Sequence, residues 1–564
     1  MGKISLALNI GNFVLISTCV VITSLTLAYY LENYNEPAAA GNATHDGKQS
    51  LECSILIIGS GFAGSFAAYK LAPIYNQSVC LVERLNRDGG RIRDISEYPG
   101  GPVFGVGALR IKKEHLTIVD LAARELGMEL QPAAEDIEIL KVRGRHFFRK
   151  EHGNDTTRMC LELFPTMNCR PDGKHSTEQL MLAELLRLHA EGKHLASVHP
   201  DLPTLLLEMF GDEGLAFLRE CVRYNSVFTS VSVHGILDFF SEDLRATSFD
   251  PKRLYPKGGM SEFIKRMLAV AVRSGLRIHR GEPVERVATN RDGSFQVDTK
   301  RYSIRAEKVL CSIDPLGFTN VQGDVADRIK SSQQFRFIAP KTLAIVTAWW
   351  NERWWETSEL HLARGEVSRL VSHANCFNTM DIPTFPYGRD QNATRAVYDD
   401  GACVNTWRTL IGEGQDCEAS TSKLADEVVN SLQHFYGPSV VVPRPRKLCV
   451  YPIVKGSREL CQDIQHPTST ITNKEIFEWS QHPLVEDNFA LIGEAYHLDF
   501  AAWCDGAMKS TMTVLMKYYN ITFPCIAGED GAIDHGSPAS CPKSGQKIPP
   551  NKRFDSFNIH GILP

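Results

Sequence analysis

No block of basic residues interrupts this 564-residue chain, in which 61 Lys and Arg are slightly outnumbered by 66 Asp and Glu. A nucleic-acid partner needs a concentrated positive face, so that class of function is set aside. No internal repeat is present, which excludes a solenoid or propeller. None of the 15 cysteines falls into the spacing of a zinc site. Charge is absent altogether from residues 4–28, a Leu/Ile/Val/Thr-rich segment whose apolar centre is residues 13–28. That centre is long for a signal h-region and slightly short for a comfortable membrane span, so a cleaved signal peptide and a retained anchor both stay open. Either places the body in the secretory lumen or outside the cell. Gly2 does not signal myristoylation, because Leu6 stands where Ser or Thr is required.

Two features suit that compartment. Glycosylation sequons begin at Asn42, Asn76, Asn154, Asn392 and Asn520. With Cys19 inside the apolar segment, an even number of cysteines remains, and Cys160/Cys169, Cys449/Cys461 and Cys525/Cys541 are close enough in sequence to pair.

The pattern along the chain divides it into a signal or anchor (1–30), a stalk (31–50), a first nucleotide-binding segment (51–115) and a helical, substrate-side region (116–255). A second nucleotide-binding segment (256–325), a substrate-binding domain (326–450), a third nucleotide-binding segment (451–525) and a disordered tail (526–564) follow. The expected fold is α/β: a Rossmann-like domain assembled from discontinuous segments, with a mixed α+β substrate domain and a helical insertion.

The densest signal is "SILIIGSGFAGSFAAYKLA", in which Gly59, Gly61 and Gly64 follow an apolar strand and open a helix through Phe62 and Ala63. Gly59 permits the turn, Gly61 lets a pyrophosphate approach the backbone, and Gly64 lets helix and strand pack closely. The helix start offers free N–H groups to phosphate. Glu83 ends the next strand, 19 positions after Gly64, at the reach expected for an adenosine ribose; Arg84 follows it. Gly90 and Arg91, in "RDGGR", come directly after.

This arrangement of Glu83, Gly90 and Arg91 resembles the flavin amine oxidase superfamily, and further stretches resemble its L-amino-acid oxidases. The resemblance implies a glutathione-reductase-type FAD domain with non-covalent FAD, since no match to the covalent flavin-attachment cysteine motif is present. In "GVGALRIKKEH" it implies that Gly107, Ala108 and Leu109 lie against the flavin and that Arg110 binds the substrate carboxylate. A guanidinium fork suits that planar group. "RLYPKGGMSEF" resembles a structural turn of the family, and Val284 the position holding the adenine side of FAD. In "APKTLAIVTAWW" the resemblance makes Lys341 the residue that holds a water against flavin N5. In "ALIGEAYHLDFAAWCDGAMKS" it makes Glu494 a ribityl or pyrophosphate ligand. There Asp505, Gly506, Ala507 and Met508 become the helix start beneath the flavin ring, and Trp503 an aromatic wall of the substrate cavity. Tyr398 in "TRAVYDDG" would be the facing wall. Two departures mark the pattern: Ala502 stands where glycine precedes the tryptophan, and one residue is added after Glu494. The substrate-side histidine of venom-type oxidases has no clear counterpart; His234 lies in a different context.

The implied activity is oxidative deamination of an L-amino acid by FAD and dioxygen, giving keto acid, ammonia and hydrogen peroxide. Two alternatives stand beside it. One is a flavoenzyme acting on an amine, or another substrate, that lacks an α-carboxylate. The other is a flavin-fold protein that binds a partner without turnover. The expected partners are a small-molecule amine or amino acid and dioxygen, with membrane anchoring through residues 4–28 and oligomeric state left open.

Overall fold

The computed structural model describes residues 47–523 apart from 99–100, 102, 114, 133–136, 150–154, 170–175, 192–200, 223–224, 229–232, 234–236, 238–252, 363–366, 375, 377, 383–391, 401–402, 412–421, 452–459, 466–470, 485–487 and 498–502. The apolar N-terminal segment, Cys19, Asn42, Asn154, His234, Ala502, Cys525, Cys541 and the tail therefore lie outside the described residues. Among those described, no helix is long and apolar enough to cross a membrane. Contacts divide the chain into residues 1–51 and 52–564, and the account below concerns the second unit.

Its first sheet has seven strands drawn from three distant parts of the sequence. The strand Gln49–Ile58 has Val79–Glu83 beside it in parallel, and Arg277–Arg280 extends that edge, also in parallel. On the other side Tyr302–Cys311 leads to an antiparallel meander with Phe295–Thr299 and Val284–Thr289. Phe489–Leu491 pairs in parallel with Tyr302–Cys311. "ILII" and "VCLV" are continuous apolar runs because both faces of a parallel sheet are covered. The helices Phe62–Tyr75, Ser261–Arg273 and Cys504–Tyr519 share one core cluster with these strands. The discontinuous Rossmann-like assembly expected from the sequence is present.

The second sheet has eight strands in the order Lys447–Tyr451, Ile338–Trp349, Ala393–Asp399, Asn378–Asp381, Arg369–Ser372, Glu138–Val142, Arg145–Arg149, with Leu460–Gln465 pairing the start of Ile338–Trp349. Two of these strands come from the region expected to be helical. The reason is "EILKVRGRHFFR": Arg143 and Gly144 both take positive φ, 47° and 81°. That pair matches a two-residue hairpin turn, and the flanks alternate as strands do. The rest of the region is helical, Thr156–Leu163, Thr177–Ala190 and Leu202–Cys221, around its own apolar cluster.

Cys160–Cys169 is disulfide-bonded as its spacing suggested, and Cys449 is also in a disulfide. Cys53–Cys80 and Cys376–Cys403, which sequence proximity did not single out, are joined as well.

Candidate active site

The cofactor end of the site begins where Gln49–Ile58 stops. Gly59 turns the chain with φ 97°, and the next helix starts at Phe62. A Cβ on Gly64 would lie 1.9 Å from the Gly59 carbonyl oxygen, so strand and helix touch there as only glycine allows. A Cβ on Gly61 would meet nothing within 4 Å, because that face opens into a cavity of about 450 Å³. Glu83 is buried and braces the turn: one oxygen accepts from Ser60 N–H (2.8 Å) and Ser60 Oγ (2.9 Å), the other from Leu85 N–H (2.8 Å). Ser312 Oγ donates to the carbonyls of Ile58 (2.8 Å) and Gly59 (3.1 Å), locking the turn to a third strand. Gly89 N–H bonds the Ser60 carbonyl at 2.9 Å, which lays the "DGGR" loop against the cradle. Arg91 and Glu494, 403 positions apart, form an ion pair of 2.5 Å.

Ile58, Gly61, Glu83, Arg91, Val284 and Glu494 all border this one cavity. A flavin dinucleotide requires a backbone without Cβ at the pyrophosphate, a cation beside it and a helix start facing it. Gly61, Arg91 and the first turn at Phe62 and Ala63 meet those needs, so the residues fit the group. Arg84, Gly90, Gly107, Ala108, Leu109 and Ala507 also line the cavity. Gly64, Asp505, Gly506 and Met508 do not. The Asp505 side chain turns away from the cavity, accepting from Ile118 N–H at 3.2 Å and pairing with buried Lys509 at 2.8 Å. Met508 packs in the core.

The same cavity reaches Arg110, Tyr398 and Trp503. Trp503 is the residue immediately before the helix Cys504–Tyr519. Its ring is held by Lys112 Nζ, 4.6 Å from the ring centroid, and by the edge of His115 at 5.0 Å. Burial, and then the charges of Lys112 and Lys509, push His115 well below the usual histidine range, so it packs as a neutral ring. Arg110 is half-buried and makes no hydrogen bond or ion pair with any described residue. Leu343 and Ile345, on the strand Ile338–Trp349, line the cavity too. Lys341 lies earlier on that strand, in register with Gln462; its side chain is outside the described residues.

Among the cavity residues that the sequence reading did not single out is a polar cluster of Arg369, Thr379, Asp381 and Arg395. They come from three neighbouring strands. Asp381 accepts from Arg369 Nε at 2.6 Å and Arg395 Nη1 at 3.2 Å. Arg395 Nη2 donates to the carbonyls of Gly105 (3.2 Å) and Gly107 (3.1 Å), in the loop leading to Arg110. Burial alone would raise the Asp381 pKa, but the guanidiniums of Arg369, Arg395 and Arg110 hold it far below the carboxylate range. The available signal was charge inside apolar strands, in "RLVS" and "TRAVYD". Cys504, a free thiol, also borders the cavity; burial pushes its pKa up to about 12, so it stays protonated.

A glycine-turn α/β sheet feeding an aromatic-walled cavity is an arrangement suited to an oxidoreductase that holds an organic cofactor. The chain belongs to the flavin-containing amine oxidoreductase family, whose model matches residues 62–513. It is therefore a flavin-dependent oxidoreductase. Among solved structures it is similar to a single-site mutant of putrescine oxidase made in a structure-based redesign of cofactor binding, at 13% identity and TM-score 0.59, covering 84% of this chain and 100% of that one. It is also similar to cyclohexylamine oxidase from Brevibacterium oxydans IH-35A, at 16% identity and TM-score 0.59, covering 83% and 99%. Among curated proteins, none matches the chain.

Proposed function

We propose that the protein is an FAD-dependent oxidase of L-amino acids. One observation carries this reading: Arg110 lines the cavity, half-buried and without a hydrogen-bond partner among the described residues, together with Trp503 and Tyr398. Withdrawing a guanidinium from water is costly unless an anion meets it, and a substrate α-carboxylate is the anion of matching shape. Trp503 and Tyr398 would flank the substrate and keep water from it, Trp503 being fixed in place by Lys112 and His115. With Arg110 gripping the carboxylate, the Cα–H is presented in one orientation. A flavin held in the cavity would supply the two-electron chemistry by which amine and dioxygen become imine and hydrogen peroxide. Water then hydrolyses the imine to keto acid and ammonia. Lys341 is proposed to serve the dioxygen half-reaction.

FAD is proposed to be held non-covalently. The glycine turn, Arg91, Val284 and Glu494 would suffice to bind it, and Cys504, the cavity cysteine among the described residues, is kept protonated. A secretory location is proposed as well. Its support is the disulfides and the exposed asparagines of two sequons, Asn76 and Asn520.

Peroxide release from the purified holoenzyme over a panel of amino acids and amines tests the reading. Arg110→Ala is expected to lower kcat/KM for carboxylate-bearing substrates about 100-fold or more, consistent with a charge-assisted bidentate contact worth roughly 3 kcal/mol. Unchanged kinetics with those substrates would assign the protein to amines that lack a carboxylate. A flavin that no amine bleaches under anaerobic conditions would mean a binding protein instead.

A further inference from the structure

The substrate end of the cavity is bordered by a network in which guanidiniums predominate. Arg369 Nη1 donates to Glu138 Oε1 at 2.8 Å, and Glu138 is shared with Arg149, which also pairs with Glu178 at 2.9 Å. Asp381 lies between Arg369 and Arg395. Buried Arg253 stands close enough to Arg110 and Arg369 that burial and then their charges depress its pKa far below the usual arginine range. Asp381 is the carboxylate of this network that lines the cavity, against Arg110, Arg369 and Arg395 on the same lining. A positive wall facing a cavity favours an anion in it. On the reading proposed above, one anion is met at Arg110.

A place for a second anion is built into the same wall. Thr379 and Arg395 are 3% and 6% exposed and both line the cavity. Thr379 Oγ1 and Arg395 Nε are buried and have no hydrogen-bond partner among the described residues. They belong to adjacent strands, on which Asp381 pairs in register with Arg395 and Thr379 with Tyr398. Two unpartnered buried donors, on residues of a positive wall that line a ligand cavity, are groups that a ligand acceptor completes.

We infer that Thr379 and Arg395 form a second anion subsite, and that the substrate is an amino acid with an acidic side chain, its α-carboxylate on Arg110 and its distal carboxylate on this wall. The inference rests on the amino-acid-oxidase reading for the first carboxylate. It stands on its own donors for the second.

Calorimetric titration of the full-length holoenzyme with glutarate, which has no amine to oxidise, against pentanoate tests the subsite without turnover. Glutarate is expected to bind at least tenfold tighter. Thr379→Val, close in volume, is expected to lower glutarate affinity about tenfold while leaving pentanoate affinity within twofold, and Arg395→Gln, which also frees the loop leading to Arg110, to lower glutarate affinity more than pentanoate affinity. Should Arg395→Gln fail to fold, the wild-type comparison and Thr379→Val still decide. Peroxide release should favour L-glutamate or L-aspartate over L-norvaline by about a hundredfold in kcat/KM. Equal affinity for glutarate and pentanoate, or a Thr379→Val protein that keeps the full preference, overturns the subsite. If neutral amino acids are oxidised while glutarate shows no preference, the subsite falls and the oxidase reading stands. If glutarate binds tightly but no amino acid is oxidised, the oxidase reading falls and the subsite stands.

Discussion

Gly61 and Gly64 sit three positions apart in one turn, yet different demands fix them. At Gly64 the obstacle is the protein itself, since an added Cβ would press on the Gly59 carbonyl oxygen 1.9 Å away. At Gly61 there is no obstacle within 4 Å, and the demand comes from what enters the cavity. Gly64→Ala is therefore expected to destabilise the fold by about 1–3 kcal/mol through overpacking, read from the midpoint of urea unfolding. Gly61→Ala should leave the unfolding midpoint of flavin-stripped protein unchanged while sharply reducing the flavin retained on purification. Equal losses of stability in the two variants would mean that Gly61 is as structural as Gly64. This division was already legible in the sequence, because the spacing of three glycines between a strand and a helix encodes both demands. The Arg91–Glu494 pair was foreseen only as two separate ligands. A separation of 403 positions gives no local pattern from which contact is read.

Between strands, the Arg369–Asp381–Arg395 relay does what no single element can. It ties three neighbouring strands of the second sheet together and, through Arg395, pins the carbonyls of Gly105 and Gly107. An arginine within an apolar strand reads the same in sequence whether it faces water or a cavity, and only the sheet order decides. That is why this relay went unread although Tyr398, on the same strand as Arg395, was singled out. The hairpin at Arg143 and Gly144 was missed for another reason: helical periodicity on its C-terminal side dominated the reading of the region. Asp381→Asn removes the charge that Arg395 and Arg369 share. Leaving buried cations short of a partner costs on the order of 3–5 kcal/mol, and the variant should lose about that much stability at neutral pH. The folded pKa of Asp381 lies below its unfolded value, so its contribution is present above the ordinary carboxylate range, near pH 3.9, and is lost as pH falls through the folded value. Urea midpoints of wild type and Asp381→Asn should differ fully at pH 6–8, and the gap should begin to narrow only below about pH 4, closing as pH approaches the depressed folded value. A gap that persists unchanged into acid would show that the ionised carboxylate is not what holds the strands.

At the scale of the molecule, the cavity is the meeting place of segments that share no local sequence. Gly59, Gly61 and Arg91 come from the first segment, Val284 and Ser312 from the second, and Gly493 and Glu494 with Trp503 and Cys504 from the third. Protein contacts already bridge them at Ser312 to Gly59 and Arg91 to Glu494. A flavin bound along the cavity would touch all three at once, so its binding energy must appear as stability of the whole assembly rather than of one loop. A ligand present at about 1,000 times its Kd stabilises by roughly 4 kcal/mol. Stripping the flavin should therefore lower the thermal midpoint by several degrees. It should also raise amide hydrogen exchange together around Gly61, Arg91, Val284 and Trp503, and reloading with FAD should reverse both. The helical cluster built on Thr156–Leu163, Thr177–Ala190 and Leu202–Cys221 has its own core and lies outside the cavity lining, so its exchange should hardly change. If exchange rose only around Gly61, the cofactor would be anchored by the glycine turn alone, and the convergence of the three segments would owe nothing to it.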